Sequence, residues 1–322
     1  TGGTFGISPA ATGLSSAVVQ PSSTTPGVCS VSGTTVTMLG AGTCTIAADQ
    51  AGDANWNAAA QVTQSITIGK GVNTITFPPQ AGQTFATGGT FGISPATATS
   101  GLAVSYGSTT PGVCSISGTT VTMLGAGTCT IAANQAGDAN WNVAAQVTQN
   151  VTIGKGVNTI TFPPQATQTF ATGGTFGISP ATATSGLAVS YGSTTPGVCS
   201  ISGTTVTMLG AGTCTIAANQ TGDANWNAAT PVTRDVTIQK GVNTITFGAQ
   251  TSPRTFATGG GFPINPVATG LSTAPVVYSS TTGSVCTVTG STVMMVSAGT
   301  CTIAANQAGD DNWNAAAQAT QN

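Results

Sequence analysis

Short runs in which apolar and hydroxyl side chains alternate, each closed by Gly, Pro or Asn, fill this chain from end to end. Between residues 73 and 153 they fall at 73–77 (Asn-Thr-Ile-Thr-Phe), 90–94, 102–106, 113–117, 120–123, 128–133 and 146–153. A period of two places successive side chains on opposite faces of a strand, so each run predicts a half-buried β-strand. Turn residues separate the runs at Pro95, at 110–112 (Thr-Pro-Gly), at Ser117 and Gly118, at 125–127 and at 136–140. The apolar set Phe91, Ile93, Val104, Tyr106, Ile116, Val121, Met123, Ile131, Val147, Val151 and Ile153 is expected inside, and the neighbouring Thr and Ser outside. Seven such strands predict an all-β, two-sheet sandwich of the immunoglobulin type.

The same text is written four times. Each copy carries two Cys and one Trp, and the copies are offset by 85, 85 and 87 residues. That period exceeds the coil of a solenoid and suits a small domain of its own. The expected organisation is a tandem array of four immunoglobulin-like domains at 1–71, 72–156, 157–241 and 242–322. The first copy begins at the equivalent of residue 87, so it is expected to lack its opening strand, and the fourth stops at the equivalent of residue 150, so it is expected to lack its closing strand. Two open sandwiches at the ends read as a window on a longer array.

Composition narrows the function. Charged residues make up 4% of the chain, there is no His and no Glu, and roughly one residue in five is Thr. A net charge of -2 spread over 322 residues gives no basis for binding nucleic acid or an anionic membrane surface. No apolar run reaches the ~20 residues of a membrane span. General acid-base work would fall on Asp, Lys or Tyr, and no catalytic pair of these recurs, so an enzyme is not expected and neither is a cofactor.

The stretch 108–133, from Ser-Thr-Thr-Pro-Gly-Val-Cys to Gly-Thr-Cys-Thr-Ile-Ala-Ala, resembles the central motif of bacterial Ig-like domains. The loop 134–142 (Asn-Gln-Ala-Gly-Asp-Ala-Asn-Trp-Asn) and the joint 152–162 are similar to the tandem versions found in long bacterial surface proteins and adhesins. The resemblance covers all four copies and implies an extracellular, cell-surface location. It is weak on function, because such domains serve as stalks, spacers and binding tips alike. This chain departs from it by placing Cys where small apolar residues are usual.

Two Cys per copy, 15 apart and facing inward, fit one disulfide within each repeat: Cys29 with Cys44, Cys114 with Cys129, Cys199 with Cys214 and Cys286 with Cys301. Buried free thiols and cross-repeat bridges are the alternatives. Disulfides imply an oxidising compartment. Two Cys without His cannot close a zinc site, and one carboxylate per loop falls short of calcium.

The recurring Gly-Asp-Ala-Asn-Trp-Asn loop reads as an Asx turn, with Trp56, Trp141, Trp226 and Trp313 plugging the end of the core of their own repeats. A sugar-stacking Trp is the rival. Lys70, Lys155 and Lys240 sit between consecutive repeats, and the topology is expected to bring Lys70 to Asp138, Lys155 to Asp223, and Lys240 to Asp310 or Asp311 as ion pairs at an interdomain joint. The linker of residues 69–73 is too short for free tumbling. Hydroxyl runs beside Pro or Gly are candidate O-glycan acceptors or plain turns: Ser23, Thr24 and Thr25; Ser108, Thr109 and Thr110; Ser193, Thr194 and Thr195; Ser280, Thr281 and Thr282. The Thr-x-Thr strands also invite an ice-binding reading, but any strand with a solvent face shows them.

Two functions fit. One is a structural segment of an extracellular filament or stalk, rod-like and self-associating, whose partners are neighbouring repeats and other copies of the chain. The other is an adhesin whose repeats bind glycans or a host surface. The second and third repeats differ at only a handful of positions, mostly near the closing strand and joint, which suits repetition for length.

Overall fold

The computed structural model describes residues 2–322 and is all-β. Among these residues no helix is long and apolar enough to cross a membrane. The chain divides into two compact units, Thr1–Gly156 and Val157–Asn322, each holding two repeats.

The second repeat shows the architecture in full. Its strands are β1 (Ile75–Thr76), β2 (Gln83–Thr84), β3 (Thr90–Gly92), β4 (Thr97–Ala98), β5 (Ser105–Ser108), β6 (Cys114–Ser117), β7 (Thr120–Met123), β8 (Gly127–Asn134) and β9 (Val147–Gly154). One sheet runs β5-β8-β9-β2, the facing one β6-β7-β3, and β4 pairs with β1 beside them. All pairs are antiparallel except β2 with β9, where Gln83 lies opposite Ile153 and Thr84 opposite Gly154. The third repeat repeats this layout, with Gln168–Thr169 running parallel to Val232–Gln239.

Each strand predicted in this repeat exists, and two short ones were not anticipated. The opening strand expected at 73–77 forms as the two-residue β1, and the unanticipated β2 follows it in a different pairing. The reason lies in Pro78 and Pro79, which follow directly: Pro donates no hydrogen bond, so the ladder stops and the chain crosses to the other sheet. The run 102–106 forms its strand two or three residues later, at Ser105–Ser108, opposite Ile131 to Asn134.

The interior follows the alternation. Ile93, Val121, Met123, Ile131, Val151 and Ile153 are buried, and Phe91, Val104, Tyr106, Ile116 and Val147 are partly buried around them. Fully burying a side chain of this size contributes about 1.5–3 kcal/mol. Cys114 on β6 and Cys129 on β8 are fully buried and bonded, with Cα atoms 5.7 Å apart, so the bridge ties one sheet to the other through the core. The other three Cys pairs join as expected across Cα separations of 5.6–5.7 Å. Closing a loop of 15 residues stabilises by about 3 kcal/mol on the chain-entropy account.

The outer repeats are reduced versions. In the first, the sheet equivalent to β5-β8-β9-β2 has three strands, Gln20–Ser23, Gly42–Asp49 and Val62–Ile68. Among the described residues, Val62–Ile68 pairs with Gly42–Asp49 alone. The fourth repeat keeps a closing strand, shortened to Ala319–Gln321 and paired with Ile303–Gln307, where none was expected. Three alternating residues suffice to continue the ladder.

Candidate functional site

The recurring Asp-Ala-Asn-Trp-Asn loop is the most elaborated polar feature of the chain, and it builds a joint. Its local geometry is an Asx turn. Asp138 Oδ1 accepts the backbone N–H groups of Asn140 and Trp141, both at 2.8 Å, and the Asp138 N–H donates to the Trp141 carbonyl at 3.1 Å. Asp53 and Asp310 close their loops in the same way. These two also receive a second loop, because Ser16 or Thr273 donates both its amide and its hydroxyl to the other carboxylate oxygen. The Thr273 amide is the main reason that the Asp310 carboxyl is lowered to about 2. Asp53 is lowered as well, chiefly by the Asn55 amide and then by Ser16.

In unit 1 the turn of the second repeat meets the tail of the first. The Gly71 N–H donates to the Asn140 carbonyl at 2.8 Å, and the Asn142 N–H donates to the Gly71 carbonyl at 3.0 Å, a parallel bridge centred on Gly71 and Trp141. Asn140 Oδ1 accepts the Ala41 N–H at 2.8 Å, and Lys70 Nζ donates to the Asp138 carbonyl at 2.6 Å. A Cβ on Gly71 would lie 2.8 Å from Trp141 ring carbons, and one on Gly40 would lie 2.9 Å from Asn140 Oδ1. Only glycine permits these approaches without displacing the ring or the amide.

Unit 2 repeats the set between the third and fourth repeats. Gly241 exchanges backbone hydrogen bonds with Asn312 and Asn314, Asn312 Oδ1 accepts the Ala211 N–H at 2.8 Å, and Lys240 Nζ donates to the Asp310 carbonyl. Here the ring environment is complete. Trp313 packs edge-on against Phe170 at 5.4 Å between centroids and joins the core cluster of the third repeat.

Two expectations are corrected. Trp141, Trp313 and Trp56 do not plug the cores of their own repeats: Trp141 lies over Gly71 and Trp313 against Phe170, each in the repeat before its own, while Trp56 is 52% exposed. Trp226 is partly buried. The backbone of Asn140 and Asn142, on either side of Trp141, pairs with Gly71, and this bridge lays the ring over the glycine of the preceding repeat. Lys70 and Lys240 do reach Asp138 and Asp310, but they meet main-chain carbonyls. The carboxylate oxygen Oδ1 is held by the amides of its own turn.

The hydroxyl runs fold as turns. Ser108 Oγ accepts the Thr110 N–H at 3.1 Å and Thr110 Oγ1 accepts the Thr130 N–H at 2.9 Å, both beside the Cys114 sulfur. Ser23 and Thr25, Ser193 and Thr195, and Ser280 and Thr282 repeat this arrangement. The middle residues Thr24, Thr109, Thr194 and Thr281 face solvent.

Sequence reasoning missed Asn140 and Asn312 as joint residues, and Gly71 and Gly241 as the surfaces on which the Trp rings rest. Their recurrence in every loop and linker was visible, but partners about 100 residues away were not.

No protein-family model matches the chain, and no curated protein does. Solved structures that match include Drosophila N-cadherin EC1-4, at 12% identity over 98% of this chain and 94% of that one, with a TM-score of 0.28. Sidekick-1 immunoglobulin domains 1-4 match at 12% identity over 99% of this chain and 93% of that one, with a TM-score of 0.27. Domains 1-6 of the surface layer protein SbsC match at 15% identity over 91% of this chain and 47% of that one, with a TM-score of 0.25.

Proposed function

We propose that this chain is a structural repeat segment of an extracellular filament or surface stalk, in which four disulfide-stapled domains, bounded at 1–71, 72–156, 157–241 and 242–322, are coupled in series. The observation that carries the reading is the joint itself. The same Gly, Asn, Lys and Trp contacts occur where the second repeat follows the first and where the fourth follows the third. A joint made of paired backbone hydrogen bonds and a ring seated on glycine transmits orientation from one domain to the next, which a spacer needs and a tethered binder does not. Lys155 and Asp223 hold the equivalent sequence positions at the middle junction.

Other features support this reading. Four disulfides suit an oxidising exterior. Trp141 and Trp313 are engaged in joints, which removes them as platforms for sugar stacking. A surface this poor in charge is protected by association with other copies or by sugars, and the candidate acceptors narrow to Thr24, Thr109, Thr194 and Thr281. Electron microscopy of the native material tests the proposal. Continuous filaments with a domain repeat of roughly 40 Å, the length of a sandwich with strands of this size, are expected. Separate bare rods that attach to glycans or cells at one end would instead support the adhesin reading.

A further inference from the structure

We propose that the second and third repeats are load-bearing clamps, in which the chain entering the repeat and the chain leaving it are bound side by side in parallel. Tension on the chain then loads their contacts in shear, all at once, and the disulfide limits the length released when the clamp yields. The inference adds a mechanical function to the filament reading. Its test is made on single chains, so it stands or falls whether or not the native material forms filaments.

In the second repeat the entering segment, residues 70–85, meets the leaving segment, residues 138–154, at a series of points whose order rises on both sides. Lys70 donates to the Asp138 carbonyl, and Gly71 bridges Trp141 in parallel. The Phe77 carbonyl accepts the Gln149 side-chain amide at 2.9 Å. Gln83 and Thr84 of β2 lie opposite Ile153 and Gly154 of β9, and the Phe85 N–H donates to the Gly154 carbonyl at 2.8 Å. These partners all stand 68 to 72 positions apart. Phe77 and Phe85 are buried and anchor the entering segment between the contacts. In the third repeat the Phe162 carbonyl accepts from Arg234 Nε at 2.9 Å, Gln168 and Thr169 lie opposite Ile238 and Gln239, and the Phe170 N–H donates to the Gln239 carbonyl at 2.8 Å. Gln149 and Arg234 hold equivalent positions and reach equivalent carbonyls with different donors, so the contact outlasts a change of residue.

Direction is what makes this arrangement a clamp. Tension pulls the entering segment toward its N-terminal end and the leaving segment toward its C-terminal end. Two strands that run the same way have those ends at opposite ends of the pair, so the pull slides one along the other and every bond between them carries load together. An antiparallel pair would present both pulled ends at one end and part bond by bond. The leaving strand is the firmer of the two, because β9 is also paired with β8 from Val147 opposite Ala133 to Ile153 opposite Gly127. The entering segment is held by the two-residue β1 and β2 and by its side-chain anchors, so it is the part that yields, while the core is still formed. The Cys114–Cys129 bridge lies outside both segments in sequence. Its loop of 15 residues, spanned by 5.7 Å between Cα atoms, withholds about 45 Å of chain from the extension that follows.

Force-clamp spectroscopy of the full 322-residue chain, held by its two ends, tests the proposal. The readout is the lifetime of each repeat under constant load, since forced unfolding is governed by the unfolding rate. Contacts broken at the transition state set that rate, and contacts still formed there do not. Phe85→Pro and Phe85→Ala both remove the ring, but the Pro variant also removes the amide that donates to Gly154. In the Pro variant one event per chain is expected to be about 10-fold shorter-lived than in the Ala variant, the effect of one hydrogen bond, while the unaltered third repeat keeps its lifetime. Gln149→Ala, which loses the bond to the Phe77 carbonyl, is expected to shorten the same lifetime about 3- to 10-fold. Val121→Ala, fully buried on β7, is expected to lower the urea midpoint yet change the lifetime less than ~2-fold. Dithiothreitol added to the extended chain is expected to release a further step of about 45 Å for each bridge. The proposal is overturned if Val121→Ala shortens the lifetime as much as Gln149→Ala does, or if Phe85→Pro and Phe85→Ala unfold alike under load. Extended chains that gain no length in dithiothreitol would overturn the limit set by the disulfide.

Discussion

Trp313→Ala separates a joint residue from a core residue. Large aromatic side chains bury about 150–250 Å² when enclosed, which at ~25 cal/mol per Å² is about 4–6 kcal/mol, and the partly exposed Trp313 keeps a share of that. The edge-on pair with Phe170 at 5.4 Å adds about 0.5–1.5 kcal/mol, part of which the relaxed surface recovers. A net cost of about 3 kcal/mol is expected at the junction of the third and fourth repeats, against less than about 1 kcal/mol for Trp56→Ala, whose ring is 52% exposed. Hydrogen exchange read by mass spectrometry reports both positions in the intact chain. Because ~1.4 kcal/mol is a factor of ten, the Gly241 and Asn314 amides are expected to exchange roughly 100-fold faster in Trp313→Ala if they open locally. Residues 50–60 are expected to change little in Trp56→Ala. Equal acceleration around both sites would mean that each Trp supports its own sandwich, and the assignment to the joint would fall.

Three further outcomes follow from the same geometry. Gly71→Ala places a methyl group 2.8 Å from the Trp141 ring and is expected to cost about 1–3 kcal/mol, as overpacking does, seen as faster exchange at Gly71 and Asn142 with the cores unaffected. The Cys286–Cys301 bridge is expected to be the first reduced by dithiothreitol, since Cys301 is partly exposed and lines an open cleft of about 350 Å³, whereas the Cys of the first three bridges are fully buried; alkylation and peptide mapping during partial reduction would show the order. The carboxyl of Asp310, held at about 2 by the Thr273 amide, contributes stability that is complete above the ordinary value of 3.8 and is lost as pH falls through about 2. Carbon-detected NMR is expected to show Asp310 titrating there with loss of the Thr273 hydrogen bond, and titration at 3.8 would contradict it.

Much of the fold was legible because strands of period two and turns of Gly, Pro and Asn are local codes, and because four copies of one text state the boundaries by repetition. The disulfides were legible for the same reason: two inward positions 15 apart, repeated four times, can meet within each copy. The end of the opening strand at Pro78 and Pro79 was legible in principle, since Pro cannot continue a ladder, but that Gln83–Thr84 pairs in parallel with β9 depends on a neighbour far along the chain.

The sequence by itself thus determined the alternation, the turns, the repeat and the cysteine pairing, all of which rest on interactions within one stretch or one copy. The tertiary structure alone decided where Trp141 and Trp313 rest, that Lys70 and Lys240 meet carbonyls, and that Asn140 and Asn312 reach Ala41 and Ala211. These contacts join residues about 70 to 140 positions apart, and apart from the Phe170 ring their partners are backbone groups that every residue possesses. A side-chain pattern cannot single out one such group until the fold has brought it within a hydrogen bond's length.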